Sequence, residues 1–103
     1  MTFSELTQTD KPVLVDFYAD WCAPCRAMKP ILEDVKNRLG QEVSVFKIDV
    51  DKNQQIAERF SIMSIPTLIL FKNGKPVWRK SGLASSLELV NVVKSFGHSE
   101  GKQ

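Results

Sequence analysis

The chain has 103 residues but only two cysteines and one histidine. A structural zinc site needs about four ligands, which two cysteines and the distant His98 do not supply. No apolar run approaches the roughly 20 residues of a membrane-spanning helix. The first residues also lack the basic and apolar segments of a signal peptide. We therefore expect a cytoplasmic protein, a setting in which persistent structural disulfides are rare.

The chain also lacks a strong charge of either sign. Its 14 Lys and Arg against 12 Asp and Glu leave a net charge of +2, and the basic residues are scattered. This balance argues against binding to nucleic acid or to an anionic membrane. The length and the 43% hydrophobic content fit one domain, 1–103, with a core over about 12–97. The polar residues 98–103, including His98, are expected to form a flexible, solvated tail.

The two cysteines, Cys22 and Cys25, have C-x-x-C spacing and lie between a predicted strand and a predicted helix. Residues 13–18 are almost entirely apolar, as in a buried strand, and residues 24–39 have helical periodicity. Cys22 should therefore lie at a helix N-terminus, where the helix dipole lowers a thiol pKa and favours the reactive thiolate. Cys25, one turn later, is placed to resolve a mixed disulfide. A purely structural disulfide is the alternative, but so small a loop removes little chain entropy.

Predicted helices and strands alternate along the chain. We predict helices over about 3–9, 24–39, 54–60 and 86–96, and strands over 13–18, 43–50, 67–71 and 76–81. Two strand–helix–strand crossovers predict parallel neighbours. Asn73-Gly74 is a hairpin signal and predicts an antiparallel last strand. The expected architecture is an α/β sandwich with helices on both faces of the sheet.

Several segments resemble the thioredoxin family. They are the active-site segment 16–26 with Trp21-Cys22-Ala23-Pro24-Cys25, the kink proline Pro30, the strand segment 47–51, the cis-proline loop Ile65-Pro66-Thr67, the hairpin 71–74 and Gly82. The resemblance implies a thioredoxin fold with a mixed sheet. We expect four strands, with five as the alternative, because only about a dozen residues precede Val13. Ala23 replaces the family's usual glycine, which leaves the redox poise of the pair open.

The resemblance implies a general protein-disulfide reductase, with Cys22 as attacking thiolate and Cys25 as resolving thiol. Asp16 is the candidate proton acceptor, because a carboxylate in an apolar strand is desolvated and its pKa should rise. Lys47, on the neighbouring strand in the family arrangement, should modulate Asp16, although an ordinary solvated lysine is nearly as consistent with the sequence. Pro66 should be cis, lie against the cysteines and leave no spare metal ligand beside them.

An apolar rim around the cysteines should receive protein substrates, with core packing as the alternative for each apolar member. The substrate-binding candidates are Trp21, Ala23, Pro24, Met63, Ile65, Gly82 and Ala84. The family also implies a monomer without a bound cofactor, re-reduced by a thioredoxin reductase that uses NADPH. Two other functions stay open at this point. One is a net disulfide oxidant or isomerase, and the other is a thioredoxin-fold binding module without turnover.

Overall fold

The computed structural model describes residues 2–97, so the expectations for His98 and the tail 98–103 lie outside the described residues. The elements alternate as predicted, and most of their bounds agree with the prediction to within one or two residues. In chain order they are α1 (Phe3–Thr7), β1 (Val13–Tyr18), α2 (Ala23–Leu39), a 3-10 turn (Gly40–Glu42), β2 (Ser44–Asp49), α3 (Gln54–Arg59), β3 (Thr67–Lys72), β4 (Lys75–Ser81) and α4 (Ser86–Gly97).

The strands form a four-stranded mixed sheet in the order β2-β1-β3-β4. Strand β1 is central, as its apolar sequence predicts, and pairs in parallel with β2 and antiparallel with β3. The hairpin at Asn73-Gly74 joins β3 to an antiparallel β4. Pro76 lies on β4, an edge strand, where a residue without an N–H is tolerated. The expected fold class and the expected four strands are therefore confirmed for the described residues.

The prediction of a second parallel crossover is wrong. Strand β3 begins at Thr67, opposite Phe17 near the end of β1, and so runs antiparallel to both β1 and β2. The length of α3 explains the difference. Its six residues rise only about 9 Å, whereas returning along a six-residue strand requires about 20 Å. The 17 residues of α2 rise about 25 Å, which is enough for the first crossover.

The two faces of the sheet bury two separate apolar clusters. On one face, α2 and α4 pack on even-numbered residues of the central strands, among them Leu14, Leu68 and Leu70. On the other face, α1 and α3 place Phe3 and Phe60 against Phe17 and other odd-numbered residues. Because strand side chains alternate between faces, Asp16 shares the α2–α4 face with Leu14. That alternation directs its carboxylate into the interior on the side of the active-site helix.

Candidate active site

Cys22 and Cys25 form a disulfide at the start of α2, with their Cα atoms 5.2 Å apart. Cys22 is the N-cap residue in extended conformation, and its Sγ accepts a hydrogen bond from the backbone N–H of Cys25 at 3.2 Å. Pro24 lies in the first turn, where its missing N–H breaks no helical bond. An unpaired helix N–H aimed at sulfur stabilises negative charge there, so the structure supplies the feature that favours a Cys22 thiolate.

Asp16 is completely buried, and neither carboxylate oxygen has a hydrogen-bond partner among the described residues. Removal from water disfavours the charged form and raises the pKa of Asp16 from 3.8 to about 6. The positive charge of Lys47 acts in the opposite direction but is the smaller effect. The side chain is therefore placed to exchange a proton close to neutral pH, as the sequence led us to expect of a carboxylate in this strand.

Lys47 lies directly across from Asp16 in the parallel pairing of β1 and β2. Its Nζ is held 4.5 Å from the centre of the Tyr18 ring, an arrangement typical of a cation–π contact. A cavity of about 270 Å³ beside it is lined by Cys25, Lys47 and also Tyr18, Ala19, Asp20, Arg26 and Lys29. This cavity brings solvent to Cys25 and to Lys47.

The loop before β3 closes over the cysteines. Its Ile65–Pro66 peptide bond is cis, which confirms the isomer predicted for Pro66. The carbonyl oxygen of Ile65 lies 3.7 Å from Cys22 Sγ. The backbone N–H of Gly82 donates to the Pro66 carbonyl at 2.8 Å, and Gly82 has a φ of +94°, a conformation that favours glycine. The cysteines, Pro66 and Gly82 thus meet at one site, although they lie far apart in the sequence.

Several residues of the predicted substrate-binding rim are exposed near this site. Trp21 is 70% exposed and Met63 is 90% exposed. Ala23 and Pro24 are also exposed, while Ile65 and Gly82 are partly covered. We call this set of six residues, Trp21, Ala23, Pro24, Met63, Ile65 and Gly82, the docking rim.

The prediction that Ala84 presents an apolar surface is wrong. Its side chain is only 4% exposed and packs in the cluster beneath α2 and α4. The neighbouring Leu83 is 49% exposed instead. No periodic pattern could reveal this burial, because residues 83–85 form a loop between β4 and α4 in which side-chain direction follows from backbone turns.

The polar contacts of two side chains near the docking rim were not predicted from the sequence. The indole N–H of Trp21 donates to Asp51 Oδ2 at 2.9 Å, which fixes the exposed ring. Arg79, on β4, donates from both terminal nitrogens to the carbonyls of Phe60 and Ser61, at the end of α3. These partners are 30, 19 and 18 residues apart in sequence, so only the folded topology brings them together.

The chemistry available here is exchange between a dithiol and a disulfide. Among residues 2–97, no group of three or more His, Cys, Asp or Glu side chains is arranged to hold a metal ion. Over the same range, none of the helices has the length and hydrophobicity needed to span a membrane. The redox-active cysteine pair and the fold around it define a thiol–disulfide oxidoreductase.

Comparison with known proteins identifies the family. The family model described as Thioredoxin matches residues 2–95. A thioredoxin-like protein of Synechocystis sp. is 50% identical over 91 residues, covering 88% of this chain and 87% of that protein. Thioredoxin Y, chloroplastic, of Oryza sativa subsp. japonica is 47% identical over 95 residues, covering 91% of this chain and 56% of that protein. A solved mutant thioredoxin from Halobacterium salinarum NRC-1 superposes with a TM-score of 0.84 at 35% identity, covering 93% and 83% of the two chains.

The chain belongs to the thioredoxin family, so the resemblance found in its sequence is confirmed. Membership and the cysteine pair together make it a protein-disulfide reductase. Neither the net oxidant nor the binding module without turnover is favoured by these relatives.

Proposed function

We propose that the chain reduces protein disulfides with Cys22 as the nucleophile and Cys25 as the resolving thiol. The Cys22 thiolate attacks one sulfur of the substrate disulfide, whose S–S bond breaks as a mixed disulfide forms and a substrate thiolate leaves. The Cys25 thiolate then attacks Cys22 Sγ, which releases the second substrate thiolate and closes the Cys22–Cys25 disulfide. Two electrons pass from the chain to the substrate. The observation that carries this assignment is the N-cap position of Cys22 and the hydrogen bond it accepts.

Asp16 takes the proton that Cys25 loses before its attack, and Lys47 tunes Asp16. Support comes from the burial of Asp16 on the α2–α4 face, its raised pKa and the position of Lys47 opposite it in the sheet. A base with a pKa near the working pH is effective in both accepting and returning a proton. The cavity beside Cys25 and Lys47 opens a path between these two side chains and solvent.

The docking rim binds the substrate around the disulfide. An extended substrate segment pairs with the backbone of Ile65, next to cis Pro66, as in strand addition. Trp21 and Met63 supply apolar contact area on either side.

The redox group is the cysteine pair itself, with no bound cofactor, and a thioredoxin reductase returns electrons from NADPH. This assignment rests on membership of the family. We further propose a single cytoplasmic domain that acts as a monomer. The exposed Lys47 on edge strand β2 supports the monomer, because a charged side chain discourages edge-to-edge pairing of sheets.

A trapping experiment tests the roles of the two cysteines. With Cys25→Ser, the first attack still occurs but resolution does not, so a disulfide-bonded protein substrate should accumulate on the chain as a mixed disulfide. Non-reducing gels should show this species, and dithiothreitol should remove it. The matched variant Cys22→Ser lacks the nucleophile and should trap far less. Equal trapping by both variants, or trapping by Cys22→Ser alone, would reverse the assignment.

A further inference from the structure

Met63 differs from every other large apolar side chain of residues 2–97 in its exposure to solvent. It is 90% exposed, more than Trp21 at 70%, and the other methionine in this part of the chain, Met28, is completely buried under α2. Its thioether is thus open to dissolved reagents, whereas that of Met28 is shielded by the core. Oxidation of methionine follows this kind of access.

Met63 is also close to the reactive sulfur. It lies two residues before Ile65, whose carbonyl oxygen is 3.7 Å from Cys22 Sγ. Two residues of chain span at most about 7 Å between Cα atoms, so the backbone of Met63 lies close to the residue that contacts the active-site sulfur. Met63 also lines a cavity of about 390 Å³ together with Val50, Gln54, Ala57, Glu58, Ser61 and Ile62. A change of polarity at Met63 therefore alters the surface that a substrate meets.

We propose that Met63 is a site of oxidation by peroxides that weakens the docking of protein substrates. One oxygen atom of hydrogen peroxide is transferred to the thioether sulfur, the O–O bond breaks and water leaves. The sulfur is oxidised by two electrons to a sulfoxide and the peroxide is reduced. The product is polar and chiral where the thioether was flexible and apolar.

The effect on substrates rests on the proposed function, in which Met63 belongs to the docking rim. A sulfoxide keeps its water when a substrate approaches, so part of the apolar contact is lost. We expect KM for a protein disulfide to rise roughly three- to tenfold, the scale of partly losing one buried apolar side chain. The reaction of Cys22 with a small disulfide that does not cover Met63 should keep its rate. Peroxide would thus weaken the binding of large protein substrates before it oxidises Met28 in the core.

The experiment starts from the disulfide form of the full chain, in which neither cysteine presents a thiolate to peroxide. After treatment with hydrogen peroxide and its removal, peptide mass spectrometry should show one added oxygen on the Met63 peptide and none on the Met28 peptide. Peptide resolution separates these from Met1, which lies outside the described residues. Steady-state kinetics with dithiothreitol as electron donor then compare insulin with hydroxyethyl disulfide, and masses are read again after the assay.

The matched control is Met63→Leu, which keeps an apolar side chain but has no sulfur at this position. Its KM for insulin should be the same before and after peroxide. Oxidation of Met28 as fast as Met63, or an unchanged KM for insulin with Met63 fully oxidised, would overturn the proposal. An equal loss of rate with both disulfides would also overturn it, since docking alone would not explain that result. Untreated chain that reduces neither disulfide would instead refute the proposed function.

Discussion

Asp16 shows how one buried residue links function to stability. A carboxylate with no hydrogen-bond partner in an apolar interior destabilises the folded state whenever it is ionised. Raising its pKa from 3.8 to about 6 corresponds to about 3 kcal/mol of lost stability once the group is fully charged. Leu or Val would fill this position without that loss of stability. A carboxyl group kept despite such a loss is typical of a group retained for its chemistry.

We predict that Asp16→Asn stabilises the folded chain in a pH-dependent manner. Below the unfolded pKa of 3.8 the native Asp16 is neutral in both states, so the substitution should change little. Between pH 3.8 and about 6 the carboxyl group ionises in the unfolded chain while it stays protonated in the core, so the native chain loses stability, and above about pH 6 the variant should be more stable by roughly 1–3 kcal/mol. Urea unfolding at about pH 3.5 and about pH 8 measures the difference, and the same gain at both pH values would contradict the buried charge.

The control for this prediction is Asp49→Asn. Asp49 is also buried, but its Oδ1 accepts hydrogen bonds from the backbone N–H groups of Asp51 and Lys52. Replacing an acceptor that is already satisfied should reduce stability or leave it unchanged at about pH 8, rather than increase it. Disulfide reduction by Asp16→Asn should also slow near neutral pH, because in the proposed function Asp16 accepts the proton that Cys25 loses.

At the scale of elements, the loop that carries Met63 and Ile65 is held by a neighbouring strand. Arg79 on β4 donates to the carbonyls of Phe60 and Ser61, which are free because α3 ends at Arg59. Ser61 itself has a φ of +54°, an uncommon conformation for a residue other than glycine. The guanidinium thus anchors the turn that precedes the loop carrying Met63 and Ile65.

We predict that Arg79→Ala loosens this loop without affecting the cysteines. Two exposed charge-assisted hydrogen bonds are lost, so the free energy of unfolding should fall by only about 1 kcal/mol. Amide exchange over residues 60–65 should accelerate, and KM for insulin should rise while the rate with hydroxyethyl disulfide is kept. Lys75→Ala, an exposed change on the same strand, is the control and should alter none of these quantities. Identical exchange in Arg79→Ala and the native chain would rule out the anchor.

The elements show which features can be predicted from a sequence of this kind. Local patterns were enough to predict β1, α2 up to Gly40 and the hairpin at Asn73-Gly74. Hydrophobic periodicity and turn-forming residues depend only on neighbours a few positions away in the sequence. The direction of β3 follows from the short helix before it, because a parallel crossover requires a connection long enough to return along the preceding strand. Trp21–Asp51 and the Arg79 anchor could not be inferred, because they depend on strand order rather than on local pattern.

At the scale of the whole molecule, the sheet brings the site together at one end. The end of β1, the start of α2 and the loop before β3 meet there, and β1 and β3 can both reach this end because they run in opposite directions. The site therefore depends on the antiparallel β3 that the crossover rule missed. The core under α2 and α4 holds the helix carrying both cysteines against this sheet. A dithiol on so firmly packed a helix should change its redox state with little movement of the backbone.

The reduction potential of the Cys22–Cys25 pair separates a reductant from an oxidant. We predict a value near −270 mV, as for thioredoxin, rather than near −120 mV as for a strong oxidant. Ala23→Gly, which restores the family's usual residue, should shift it by less than about 30 mV. Ala23 is the exposed first residue of α2. If α2 persists in both redox states, glycine weakens the helix equally in the oxidised and the reduced protein, so the potential changes little. Equilibration with glutathione buffers measures both proteins. A native value near −120 mV would make the chain a net oxidant, and a larger shift in the variant would show that α2 changes with redox state.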